Sequence, residues 1–210
     1  MKVGLYRTGW PPAQRGATLV EVLVAILILT FGLLGVAGLI ANSLRAANDT
    51  GNYVMASTMA RELAEKMRAN RQVAQATVNN PYLVDTSQTA IAAAAANCVA
   101  SGSVCNANAL GSWDMWDWWT RLTQGSGNDT TAGTTFGGLP NARLVVCYDN
   151  SPFNGANLVW ACDNQPGAPL VVKLGWSTRP GGTGTTGAAD PLSGAAQPRV
   201  VIQALPGPGV

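Results

Sequence analysis

The chain has 210 residues, 47% of them apolar and only 11% charged, with no histidine. That length accommodates one domain of ordinary size plus a long anchor, and the missing histidine excludes Ser-His-Asp and Cys-His nucleophile systems along with the commonest metal ligand. Formal net charge is +2, but from Gln72 onward five basic residues face seven acidic ones, a net of −2, which leaves no bulk electrostatic footprint for nucleic acid.

Residues 1–16 contain Lys2, Arg7 and Arg15, no acid and no long apolar block. Ala17-Thr18-Leu19-Val20-Glu21 follows, and the apolar run then continues to Ala41. A secretory signal has the reverse order, with the apolar region before the cleavage site. Here a cut after Gly16 would leave the hydrophobic segment on the mature chain. An ionised Glu at the mouth of that segment costs roughly 2.5–3.5 kcal/mol in a bilayer. A chance acid at a helix end is the bland reading. The register of glycine, glutamate and apolar run argues against it.

That register resembles the type IV prepilins. The resemblance implies a short basic leader that a membrane prepilin peptidase removes after Gly16, with Ala17 as the new, methylated N-terminus. It also implies that Glu21 is the assembly glutamate, whose carboxylate neutralises the terminal amine of a neighbouring subunit in a helical bundle. The family usually begins its mature chain with Phe or Met, so Ala17 is a departure that bears on methylation rather than on the cut. The implied partners are the prepilin peptidase/methyltransferase, other minor and major pilins, and an inner-membrane assembly platform. No cofactor is implied.

Leu19 to Ala41 is long enough, at ~1.5 Å per helical residue, to span a hydrocarbon core of ~30 Å. The positive leader predicts a single span with the N-terminus in the cytoplasm and everything after the span outside. The resemblance implies that this membrane is the bacterial inner membrane, with the head periplasmic and the protein destined for a cell-surface pilus. Gly32, Gly35 and Gly38 each cost about 1 kcal/mol against Ala and read either as local softness or as a small-residue face for helix packing. Beyond the span the helical pattern runs to about Asn70. Met55, Met59, Leu63 and Met67, with Ala56 and Ala60 beside them, form one apolar stripe. Glu62 with Lys66, and Arg61 with Glu65, have i, i+4 ion-pair spacing. The expected organisation is a cleaved leader (1–16), a long helix (17–71) and a globular head (72–210).

Residues 72–110 read as a connector, broken at Asn79-Asn80-Pro81, with a short helical stretch expected at 90–96. The segment from Trp113 to Leu122 reads as a helix with Ser112 as its N-cap and Trp113, Trp116, Trp119 and Leu122 on its core face. Asp114 and Asp117 on this short helix make a poor catalytic pair, and no enzyme is expected. A Gly/Ser/Thr-rich loop at 125–138 leads into β-rich runs at 142–148 and 157–162, read as a hairpin, and then at 169–176 and 199–205. A second Gly-rich loop occupies 177–197.

All four cysteines follow the apolar span, where an oxidising compartment is expected. Four cysteines allow three pairings, and sequence proximity selects Cys98–Cys105 with Cys147–Cys162. The rival zinc site lacks any Cys-x-x-Cys spacing, so no metal is expected. The sum is an α+β chain: a long N-terminal helix packed on a three- to four-stranded antiparallel sheet. The order of Trp segment, Cys-bearing strand and Trp-ended strand resembles minor pilins of the PilV type, the type IV pilus modification proteins. The resemblance implies a structural subunit that primes or modifies pilus assembly. The alternative is a minor pseudopilin of a type II secretion system, and a third class is a membrane-tethered binding module.

Overall fold

Fifty-one consecutive residues, Leu19–Ala69, form one helix, α1, in the computed structural model. The structure describes residues 16, 18–124, 138–155, 157–165, 167–176 and 197–207. The expected leader before Gly16, residue Ala17, and most of both Gly-rich loops therefore lie outside the described residues. Contacts divide the chain into two compact units, Met1–Ala47 and Asn48–Val210. In the first unit every described residue is exposed, and α1 passes through Gly32, Gly35 and Gly38 without a break in its assigned helix. Its best 18-residue window has a mean hydropathy of 2.7, which makes it long and apolar enough to cross a membrane.

In the second unit the remainder of α1 turns one face to a core. Ala56, Ala60, Leu63, Ala64 and Met67 are buried, with Met55 and Met59 partly buried against the same cluster. This is the expected stripe, and its small alanines let a sheet approach closely. The helix stops at Ala69, a short turn α2 (Arg71–Ala74) follows, and Asn80 caps that turn. The Asn80 amide donates to the carbonyls of Ala74 (2.9 Å) and Ala76 (3.0 Å), while its oxygen accepts from the Tyr82 N–H. These bonds satisfy carbonyls that a helix end leaves orphaned.

The sheet contains β1 (Val84–Asp85), β2 (Arg143–Tyr148), β5 (Leu170–Gly175) and β6 (Val200–Leu205), in the spatial order β1-β2-β5-β6 and antiparallel throughout. Strands β2 and β5 pair over their full length, from Arg143 opposite Gly175 to Tyr148 opposite Leu170. Alternation then sorts the side chains. Leu144, Val146, Leu170, Val172 and Leu174 join the core beneath α1, whereas Val145, Cys147 and Val171 form a second cluster with Trp160, Cys162 and Val201.

The run 157–162 is not the expected second strand of the sheet. Only Asn157–Leu158 (β4) is extended, and it pairs with β3 (Phe153–Asn154) in a separate two-stranded hairpin. The reason is that both sides of β2 are taken, one by β5 and the other by the two-residue β1 that sequence analysis missed. Residues 159–162 instead lie across the second cluster. Disulfides link Cys147 to Cys162 and Cys98 to Cys105.

The helix over the sheet, α3, spans Ala107–Gln124 and begins well before Ser112. Its cap is Asn106, whose side-chain oxygen accepts the Ala109 N–H at 2.8 Å. The earlier start also moves the buried face. Gly111, Met115, Trp118 and Leu122 point inward, while Trp113 and Trp116 are only partly buried and pack on each other with ring centroids 5.1 Å apart. Trp119 is partly buried at the edge of the core. Gly111 is required by close approach: a Cβ there would lie 2.8 Å from Pro81 Cγ and 3.1 Å from the Tyr82 ring. Residues 90–96 are not helical.

Candidate functional site

Two groups of residues carry chemistry beyond packing. The first is the start of α1. Thr18 caps the helix: its hydroxyl oxygen accepts the Glu21 N–H at 3.3 Å, and its carbonyl accepts from Glu21 (3.0 Å) and Val22 (3.2 Å). Thr18-Leu19-Val20-Glu21 therefore has the spacing of a capping box, with the acid three residues after the hydroxyl. That signal was readable in the sequence and was missed. A negative charge in the first turn also suits the positive end of the helix dipole.

Gly16 is exposed, and Glu21 is exposed among Leu19, Val20 and Val22. Among the described residues no ion pair or side-chain hydrogen bond reaches the Glu21 carboxylate. A carboxylate on an apolar, uncovered helix is costly to place in lipid without a cation. Ala17, the expected new terminus, lies outside the described residues.

The second group joins α1 to α3. Asp114 is buried and accepts from Lys66 Nζ (2.8 Å) and from the Tyr82 hydroxyl (3.1 Å). Asn70 donates to the Tyr82 oxygen (3.2 Å) and to the Ala107 carbonyl (2.6 Å). One turn away, Arg121 grips Glu62 with two nitrogens, at 2.5 and 3.2 Å, and also reaches Asp117 at 3.1 Å. Lys66 and Glu62, expected to pair with each other, each take a partner on α3, and Glu65 pairs with Arg68 rather than Arg61. Tertiary geometry wins because a carboxylate or guanidinium held on a neighbouring helix loses less entropy than two long side chains on one exposed surface.

These contacts set the ionisation of the group. Burial, with the Asp114 carboxylate adding to it, pushes the Tyr82 hydroxyl well above its usual range. The hydrogen bond from Arg121 holds Glu62 below its ordinary value of 4.5 and in turn raises Arg121. At the sheet edge, burial pulls Asp85 upward, but bonds from Ser87 and Arg143 outweigh it and lower its pKa. Asp114 and Asp117 thus serve as fixed acceptors between two helices. The arrangement can hold α1 on the sheet; it does not bring an acid and a base together over a cavity.

The sequence model of the prokaryotic N-terminal methylation motif matches residues 11–37, a stretch that includes Gly16, Ala17 and Glu21. The model described as type IV pilin Tt1218 matches residues 38–116, from the apolar half of α1 into α3. No curated protein and no solved structure matches significantly.

Proposed function

Because the chain is a type IV pilin-like protein, we propose that it acts as a minor type IV pilin of the PilV type, a structural subunit that primes or modifies pilus assembly. The methylation motif implies processing by the prepilin peptidase and assembly with other pilins. With the apolar part of α1, it fits anchoring in the inner membrane with the head outside. In the proposed sequence of events the peptidase cuts between Gly16 and Ala17, the new amine on Ala17 is methylated, and Glu21 of one subunit pairs with the amine of its neighbour. A minor subunit contributes few copies and acts through the inner-membrane assembly platform.

The observation that carries this reading is the exposed Glu21 carboxylate in the first turn of a helix whose surrounding surface is apolar. A buried intermolecular pair of that kind would lose about 3–5 kcal/mol if one partner were removed.

The test is to shear pili from the native host and map this protein's N-terminus by mass spectrometry. A chain beginning at methylated Ala17 in the pilus fraction is the expected result. A processed chain found only with secretion components, never in sheared pili, would replace the proposal with a minor pseudopilin of a type II secretion system. An intact leader on the mature protein would overturn both.

A further inference from the structure

The two edges of the sheet differ. At one, β1 is only two residues long. At the other, β6 runs for six residues, Val200-Val201-Ile202-Gln203-Ala204-Leu205, and no strand among the described residues pairs with its outer side. Natural sheets guard such an edge with charge, proline, a bulge or a cover. Strand β6 contains neither charge nor proline. Its last residues are guarded in the other two ways. The register slips opposite Leu170 and Val171, and Arg68 donates to the carbonyls of Gln203 (3.4 Å) and Ala204 (2.9 Å) while Gln75 donates to that of Pro206 (3.3 Å). Among the described residues no side chain hydrogen-bonds to the backbone of Val200, Val201 or Ile202.

That unguarded stretch lines a groove of about 560 Å³. The groove wraps the strand edge, since Val200 and Ile202 belong to the core side of the sheet and Val201 to the opposite side. One wall is α1, with Tyr53 and Arg61, and the other is the β3–β4 hairpin, with Phe153. Tyr53 is 52% and Phe153 60% exposed, so a large ring stands on each side of the open edge. The charge on the walls is positive. Asp149 is buried against Lys173, and Arg199 reaches Asp49 at 3.5 Å. Arg61 is exposed, and the acid one turn on, Glu65, pairs with Arg68 instead.

We propose that the Val200–Ile202 edge accepts an extended segment of a partner protein as a fifth strand, with alternate apolar side chains against Tyr53 and Phe153 and an acidic side chain on Arg61. An edge strand repeats N–H and C=O groups at a spacing that another extended backbone matches, which gives affinity, while the flanking side chains give specificity. Three residues of edge span about 10 Å, so the fit is to a tail or loop rather than to another whole sheet. The proposal stands on the sheet edge and does not depend on the filament role.

The full-length chain, purified in detergent, is titrated into the end-blocked, fluorescein-labelled peptide Thr-Val-Thr-Val-Asp-Val-Thr. Two controls are the same peptide N-methylated at every backbone nitrogen and a peptide with Lys in place of Asp. The acidic peptide is expected to raise the anisotropy saturably and to slow hydrogen exchange at the β6 amides that β5 leaves unpaired. The N-methylated peptide should do neither. Arg61→Glu, at an exposed position, should weaken the acidic peptide by about fivefold and reverse the preference between Asp and Lys. Absence of binding, equal binding of the N-methylated peptide, or no preference for acid overturns the proposal. So does a dimer that protects the same amides without peptide, which would assign the edge to a second copy of this chain.

Discussion

Asp114 and Asp117 sit three residues apart on α3, yet their replacement is expected to have very different consequences. Asp114→Ala removes the acceptor of a fully buried Tyr82 hydroxyl, which costs about 1–3 kcal/mol when left unsatisfied. It also strands Lys66, but that side chain is 26% exposed and reaches water, so the lost ion pair adds only about 0.5–1 kcal/mol. The expected total is about 1.5–4 kcal/mol. Asp117→Ala removes one of two acids around Arg121, which keeps its paired contact with Glu62, and should cost roughly 0.5 kcal/mol or less. Asp114→Asn keeps an acceptor for Tyr82 and should recover more than half of the loss. Urea unfolding of the detergent-solubilised chain, followed by tryptophan fluorescence, reads all three. Equal losses for Asp114→Ala and Asp117→Ala would refute the argument that burial and the Tyr82 hydroxyl separate these acids.

Three further outcomes are expected. Glu21→Ala should be cleaved normally but absent from sheared pili; normal incorporation, seen by immunoblot, would remove the assembly role given to that carboxylate. Gly111→Ala should destabilise the head by about 1–3 kcal/mol, because its Cβ would press on Pro81 and the Tyr82 ring; an unchanged unfolding midpoint would show that α3 shifts to make room. Glu62 has a folded pKa below its ordinary value, so its contribution is full above about pH 4.5 and is lost as the pH falls through the folded value. Acid unfolding monitored by near-ultraviolet circular dichroism should therefore be shallower in Glu62→Gln, and an identical acid profile would contradict the pairing with Arg121.

Local patterns were sufficient for several elements. The apolar stripe of α1 was legible because a helix repeats every 3.6 residues and Met55 to Met67 follow that period. Strands β2, β5 and β6 were legible because valine and isoleucine runs bounded by turn residues have few other uses. The face of α3 was misread for a local reason: Asn106, not Ser112, caps it, and the Trp spacing fits a second stripe as well as Met115, Trp118 and Leu122 do. Trp118 is decided by a bond that sequence does not show, from its indole N–H to the Met59 carbonyl on α1.

By itself, then, the sequence determined the motif around Gly16 and Glu21, the apolar span, the helix-then-strands order and the α+β class, because each depends on residues near one another along the chain. Tertiary structure alone decided that Glu62 and Lys66 reach across to α3, that two-residue β1 closes the edge of β2, and that residues 159–162 form a strap over the sheet. These outcomes depend on which groups meet after the chain has closed long loops. Short-range periodicity carries no information about that meeting.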